Sequence, residues 1–400
     1  MNWGTIPLKR VATFTAGGTP SVDEPEYWED GDDGYPWIAI GDMSSVDIVR
    51  RTARRISPSG LRSARIALGK PGTILFSMYA SLGHTAWLTA PAAWNQAILG
   101  LWPRSATDAR FLRYCLVSIR PQLIEQVRSN TQANLNAEVV GNLRLPDPPL
   151  DEQRRIADFL DAETARIDKM ATLRSMQQEE LRQRRWSLLQ SILDTTPSES
   201  MPCRRILNSI IDGPFGSAFS SSDYVDEGAA VVRLGNIGFC EYRPDDQARI
   251  SMSLFGEFRK YEVREGDILI AGLGDPRNHA GRACIAPELG PAIVKGKCFR
   301  ARVNPVKTSA GFLTLILSSP VGAGALEGRG STRSMINLEV VKSAILPIPQ
   351  YKDQVAIARQ MDDYWQDAVA TIRACERQLT VLAERRQALI TAAVTGAITV

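Results

Sequence analysis

Residues 145–156, LPDPPLDEQRRI, change the character of the chain within a few positions. Prolines lack a backbone donor and push the residue before them out of the helical region, so this cluster ends whatever precedes it. Asp151, Glu152 and Gln153 then place negative or accepting groups where the first turn of a helix has free N–H groups and a favourable dipole. Working outward, 136–161 (NAEVVGNLRLPDPPLDEQRRIADFLD) lies without a gap over 337–362 (NLEVVKSAILPIPQYKDQVAIARQMD), 201 positions later. Asn136/Asn337, Glu138/Glu339, Val139/Val340, Leu145/Leu346, Pro146/Pro347, Pro148/Pro349, Gln153/Gln354, Ile156/Ile357 and Asp161/Asp362 coincide, and the register persists to Leu188/Leu389. Upstream, WIAIGDM (37–43) answers the region 232–238, and PGTILF (71–76) answers EGDILI (265–270). Self-similarity at half the chain length means one supersecondary plan used twice.

The expected fold class is therefore α+β, with two tandem mixed α/β modules, 1–149 and 198–349. Each is followed by a long helix, 150–197 and 350–400 with a C-terminal tail. Within the modules, β-rich runs at 37–40, 73–77 and 267–271 alternate with Gly, Pro and Ser clusters, and apolar stretches at 111–119 and 311–317 suit short helices. From Asp151 to about Leu193 there is neither Pro nor Gly, which predicts a helix of ~65 Å at 1.5 Å per residue. Leu160, Ile167, Leu181 and Leu188 fall on a seven-residue series interrupted by Arg174. Its counterpart is Met361, Ala368, Cys375, Leu382 and Leu389, joined by a second column of Trp365, Ile372 and Leu379. The matching column of the first helix, Thr164, Ala171, Gln178 and Arg185, is weakly apolar. Equal length and register favour the two helices packing on each other as an antiparallel pair.

The 400 residues are 44% hydrophobic and 23% charged, a globular composition without a run of ~20 apolar residues. The start, Met1-Asn2-Trp3-Gly4-Thr5, lacks a basic head followed by an apolar stretch, so a cytoplasmic protein is expected. Six scattered cysteines without a C-x-x-C pair, and two distant histidines, argue against a zinc site or a disulfide framework and for packed, reduced thiols. Net charge is only +3, but the positive charge is mainly arginine, whose planar fork suits phosphate and guanine.

Asp147-Pro148-Pro149 followed by an apolar residue is close to the loop with which amino-methyltransferases grip a flipped base. The residue after Pro-Pro there is an aromatic that stacks on the base; here it is Leu150, and the second copy reads Pro347-Ile348-Pro349-Gln350. No glycine-rich strand-to-helix turn for a methyl donor is evident, the segment 322–328 coming nearest, and no phosphate loop or carboxylate cluster of nuclease type is found. The chain reads as one that binds and does not catalyse.

AGGTP (16–20) followed by SVDEPEYW, the junction LPDPPLDEQRRIADFLD, its degenerate copy and the C-terminal RRQALITAAVTGAI (385–398) together resemble the specificity subunit of type I restriction-modification systems. The resemblance covers essentially the whole chain. It implies two target recognition domains, each reading one half of a bipartite, asymmetric double-stranded DNA sequence, with the paired helices fixing the gap. It further implies docking of modification (methyltransferase) subunits, two of them, which carry S-adenosylmethionine, and allows restriction subunits to join; the chain itself needs no cofactor and no metal. A protein-interaction scaffold that uses only the long helices is the alternative.

Base-edge contacts specify sequence and phosphate contacts position the protein, so the candidates are polar and basic residues on module loops. In the first module these are Thr19, Ser21, Tyr79, Ser81, His84, Asn95 and Gln96. In the second they are Ser217, Arg277, Asn278, His279, Arg282, Lys295, Lys297, Arg329 and Arg333. The internal alignment sets 77–83 against 271–281 and 128–134 against 330–335. The aromatic pair Tyr27-Trp28 reads as packing rather than base stacking.

Overall fold

The computed structural model describes residues 3–31, 33–129, 135–214, 221–275, 278–327 and 335–400. They form two compact units, Met1–Ser175 with Glu376–Val400, and Met176–Cys375. The two long helices, Leu150–Thr195 and Tyr351–Thr395, each give one part to each unit.

In the first unit a five-stranded sheet runs Ala12–Ala16, Ile98–Pro103, Ile74–Ser77, Thr85–Leu88, Ile48–Val49; all neighbours are antiparallel except the last pair. A four-stranded sheet runs Trp28–Glu29, Arg54–Ile56, Tyr35–Ile38, Ala93–Trp94, with only the last pair parallel. The second unit repeats the plan. Leu207–Asp212, Cys298–Val303, Ile268–Ala271 and Ala283–Ile285 form one sheet, and Arg249–Ile250, Tyr224–Val232 and Ala292–Val294 the other. Alternation of apolar and polar residues is weak in the central strands because both faces are covered: Ile74–Ser77 and Ile268–Ala271 are buried throughout. The helices Ala109–Ser129 and Ala310–Ser318 fill the places anticipated for short helices, the first running much longer.

Each junction is a small antiparallel ribbon, Thr5–Pro7 against Arg144–Pro146 and Ser198–Pro202 against Ile345–Pro349. The repeated asparagines cap the short helices before it, Asn136 accepting from the Val139 N–H (2.9 Å) and Asn337 from that of Val340 (3.0 Å). The repeated glutamines tie the start of each long helix to its module. Gln153 accepts from the Asp108 N–H (2.9 Å) and donates to the Pro148 carbonyl (2.9 Å). Gln354 accepts from the Thr308 hydroxyl (2.8 Å) and the Ser309 N–H (2.9 Å) and donates to the carbonyls of Lys307 (3.0 Å) and Pro349 (2.9 Å). Both are buried. Asp147 of the Asp-Pro-Pro segment lies in this junction, its N–H bonded to the Gly4 carbonyl.

Within each unit the helix segments run antiparallel. In the first, Ile156, Ala157 and Leu160 share a core with Ile390, Ala393, Val394 and the sheet residues Ile74, Phe76 and Leu99, and Arg386 pairs with Asp168 (2.9 Å). In the second, Leu189 and Leu193 share a core with Ile357, Met361 and the sheet residues Ile268, Ile270 and Phe299. The seam matches the expected one in part, with Leu160, Ile167, Met361, Ala368, Ile372 and Cys375 buried. Thr164, Gln178 and Arg185, on the weakly apolar column, are buried, whereas Leu181 and Leu188 are only half-buried. The polar groups are accommodated individually. Thr164 donates back to the Leu160 carbonyl (2.6 Å), Gln178 donates to the Ile372 carbonyl (3.2 Å), and the Arg185 guanidinium lies between the rings of Trp186 (4.7 Å) and Trp365 (4.2 Å).

Burial pushes the Arg185 pKa below its ordinary value, and its Nε finds no partner among the described residues. Because desolvation offsets most of what such a cation gains, Arg185→Met is expected to change stability by less than ~1 kcal/mol, while Arg185→Ala, which empties the space between two indoles, costs about 2–4 kcal/mol. Denaturant unfolding of the two variants checks this, and equal losses would contradict it.

The six cysteines are free, five of them buried. Burial pushes the Cys203, Cys284 and Cys298 thiols up to about 12. No described helix is long and apolar enough to cross a membrane.

Candidate nucleic-acid interface

One edge of each module is built by the same backbone bonds, carrying different side chains. In the first module Gly17 donates to the Ile98 carbonyl (3.2 Å), Asn95 to that of Ile38 (3.0 Å), Ile98 to that of Asn95 (3.1 Å), Met78 to that of Ala97 (2.8 Å) and Leu135 to that of Met78 (3.4 Å). In the second, Gly213 donates to Cys298 (3.3 Å), Lys295 to Val232 (2.9 Å), Cys298 to Lys295 (3.0 Å), Gly272 to Lys297 (2.8 Å) and Ile336 to Gly272 (2.9 Å). Five chain segments thus converge at each edge. The glycine is required by proximity: a Cβ on Gly17 would lie 1.9 Å from the Trp94 carbonyl oxygen, and one on Gly213 would lie 2.2 Å from the Lys295 carbonyl carbon.

On the first edge, exposed Thr19 hydrogen-bonds exposed Gln96, and half-buried Asn95 accepts from the Ala97 N–H (3.0 Å). Exposed Ser21 caps the turn to Asp23, and its carbonyl accepts from the Trp28 indole (3.0 Å). Tyr79 is exposed on the neighbouring loop, Ser81 turns it with φ +60°, and His84 closes it with Nε2 3.1 Å from the Val46 carbonyl. Trp28 packs edge-on against Trp37 (5.1 Å), which agrees with a packing role for it.

On the second edge, Lys295 donates to the Tyr224 hydroxyl (2.8 Å). Lys297, at φ +69°, donates its N–H to Asp212 (2.9 Å) and its ammonium to the Met335 sulfur (3.6 Å). Burial holds the Asp212 carboxyl above its usual range against the pull of that N–H. Asn278 donates to both oxygens of Asp275 (2.8 and 3.0 Å). His279 has Nε2 3.2 Å from the Ser318 carbonyl and its ring against Phe239 (5.2 Å). Arg282 is 5% exposed and spends its guanidinium on the carbonyls of Ile237 (2.8 Å), Leu273 (2.9 Å), His279 (3.2 Å) and Leu234 (3.3 Å). It holds the loop and does not face outward. Ser217, Arg277, Arg329 and Arg333 lie outside the described residues.

The first edge thus offers neutral donors and acceptors, the second a cationic one, and both chemistries match the edges and backbone of a duplex. Sequence reasoning passed over a further feature of the first unit, a cleft of about 790 Å³ lined by Arg50, Arg51, Arg54 and Arg55 with Trp28, Glu29 and Asp30. The signal was in plain view as RRTARR at 50–55.

The model of the type I restriction modification DNA specificity domain matches residues 1–175 and 233–380. The chain is 24% identical to the EcoBI type I restriction enzyme specificity subunit of Escherichia coli, over all of this chain and 86% of that one. It is 25% identical to the MjaIX specificity subunit of Methanocaldococcus jannaschii over 40% of this chain and 37% of that one. A solved structure concerned with complex assembly and conformational transition of the type I R-M system superposes with a TM-score of 0.68 over 99% of this chain and 98% of that one, at 18% identity. With two copies of one fold, each followed by a long helix, and a family match over most of its length, the chain belongs to the type I restriction modification DNA specificity family.

Proposed function

We propose that this chain is the non-catalytic specificity subunit of a type I restriction-modification complex, acting in the cytoplasm. Each module reads one half of a bipartite, asymmetric duplex target. The observation that carries the reading is the conserved backbone scaffold of the two edges bearing unlike side chains, Thr19 and Gln96 on one and Lys295 and Lys297 on the other. A duplicated scaffold with divergent contact residues is what two different half-sites require. The residues proposed for contact are Thr19, Ser21, Tyr79, Ser81, His84, Asn95 and Gln96, with Asn278, His279, Lys295 and Lys297; Ser217, Arg277, Arg329 and Arg333 join them by sequence alone. Two modification subunits dock on the long helices and supply S-adenosylmethionine and the methyl transfer, and restriction subunits can join the complex.

Methylation mapping of a genome that carries this chain with its modification subunits tests the reading. Two modified half-sites at a fixed gap are expected; a single uninterrupted motif would overturn it. Affinity for duplex DNA should fall steeply with salt, the log–log slope being about −0.9 per phosphate contacted. A salt-independent affinity would instead favour a scaffold for proteins.

The helix pair sets the gap between half-sites. Removing one seven-residue set from each long helix keeps the seam on the same faces. The same mapping is then expected to show a shorter gap between unchanged half-sites. Altered half-sites with the original gap would contradict the role given to the helices.

A further inference from the structure

The arginine run that lines the cleft of the first unit is not repeated at the equivalent positions of the second. Ile56 and Ile250 are equivalent, both fully buried in the short strands Arg54–Ile56 and Arg249–Ile250, and each is followed by a serine, Ser57 or Ser251, that caps a helix. Aligned on that pair, Arg50-Arg51-Thr52-Ala53-Arg54-Arg55 stands over Pro244-Asp245-Asp246-Gln247-Ala248-Arg249. Four cations in one module face a single arginine and two carboxylates in the other. One of those carboxylates, Asp246, is paired with Arg233.

The run is held in place by groups that leave its charge intact. Asp42 accepts the N–H groups of both Ala39 (2.8 Å) and Ala53 (3.0 Å), pinning the middle of the run to the turn after Tyr35–Ile38. Thr52 donates to the Arg54 carbonyl (2.8 Å). The Arg54 guanidinium stacks 3.6 Å over the Trp28 ring, and Arg55 donates to the backbone carbonyls of Asp33 (2.9 Å) and Gly34 (2.7 Å). Arg50 and Arg51 are exposed and have no ion-pair partner among the described residues, although Glu29 and Asp30 also line the cleft. Trp28 connects the cleft to the reading edge, since its indole donates to the carbonyl of Ser21, two residues from Thr19.

We infer that this cleft is a phosphate-binding site for the DNA backbone beside the half-site read by the first module, so that the two modules grip the duplex unequally. The inference rests on the DNA reading proposed above. The shared chemistry is a phosphate, and its source is the DNA backbone rather than a free nucleotide. A small-molecule site encloses most of its ligand, whereas Arg50, Arg51 and Arg54 lie exposed in a row, as a linear polyanion requires.

The test compares the full chain with Arg50→Ala/Arg51→Ala, using a fluorescein-labelled random duplex of about 30 base pairs titrated between roughly 50 and 200 mM salt. Loss of two phosphate contacts is expected to reduce the log–log slope by about 1.8. The reciprocal Pro244→Arg/Asp245→Arg, at exposed positions of the second module, is expected to steepen it. Both variants should keep the parent's unfolding midpoint, because the replaced side chains are exposed. A steep parental slope left unchanged in Arg50→Ala/Arg51→Ala overturns the cleft assignment and leaves the DNA reading standing. A parent with no salt dependence removes both. Calorimetric binding of ATP by the parent that is lost in that variant, with an unaltered DNA slope, makes the cleft a free-nucleotide site and also overturns the inference.

Discussion

Gln354→Leu is expected to destabilise the second unit by about 3–5 kcal/mol, one of the largest effects of any single side chain away from the hydrophobic cores. The side chain is fully buried and makes four hydrogen bonds, to Thr308, Ser309, Lys307 and Pro349, all groups at the entrance to a helix or its junction. Leucine fills nearly the same volume, so no cavity term enters. The loss comes from buried polar groups left without partners, which cost more than the net value of the bonds themselves. For a unit of this size the melting transition should fall by about 10 °C, at ~2–4 °C per kcal/mol. Gln153→Leu should do the same to the first unit by a smaller amount, since its third contact, to the Ala106 carbonyl, is long at 3.4 Å. Calorimetry of the full chain separates the outcomes, and a midpoint within about 2 °C of the parent would refute the role assigned to Gln354.

Gly17→Ala is expected to weaken binding to the mapped target by about 100-fold, equivalent to ~2.7 kcal/mol. The new methyl carbon would sit 1.9 Å from one backbone oxygen and 2.5 Å from the next, the carbonyls of Trp94 and Asn95. Backbone cannot swing aside as a flexible side chain can. The segment carrying Thr19 must therefore move away from Gln96, and overpacking of this kind costs ~1–3 kcal/mol or more. Selectivity should disappear at one half-site and survive at the other, because the second module has its own glycine, Gly213, in the equivalent place. Competition with duplexes altered in one half at a time reads this directly. Retention of parental affinity and of both preferences would show that these loops do not read DNA.

The repeat was legible because the junction preserves residues with one structural solution each: the capping asparagines, the strand-ending prolines and the buried glutamines. The long helices were legible from the absence of Pro and Gly. The seam was legible only in part. A heptad template scores apolar residues, and it passes over Thr164, Gln178 and Arg185, whose polar ends are satisfied by a preceding carbonyl, a partner helix carbonyl and two indole faces. Arg282 shows the converse limit. In sequence it is one more arginine beside a glycine-rich loop, and only three-dimensional closure shows its donors turned inward onto four carbonyls. The run at 50–55 was visible, but its force lies in the comparison with 244–249, which requires the structural register set by Ile56 and Ile250.

The division of the chain also has a consequence in time. The second unit is one uninterrupted stretch, Met176–Cys375, whereas the first is closed by Glu376–Val400. Ile390, Ala393 and Val394 from that late segment complete a core with Ile156, Ala157 and Leu160. At roughly 5–20 residues per second, the ribosome delivers them ~10–40 s after residue 175. Throughout that interval the apolar face beginning at Ile156 lacks this last part of its cover, and the second unit, whole once Cys375 is added, has its full sequence only ~1–3 s before Ile390 follows. The second unit therefore has its whole sequence first, and the module translated first is the last to be finished.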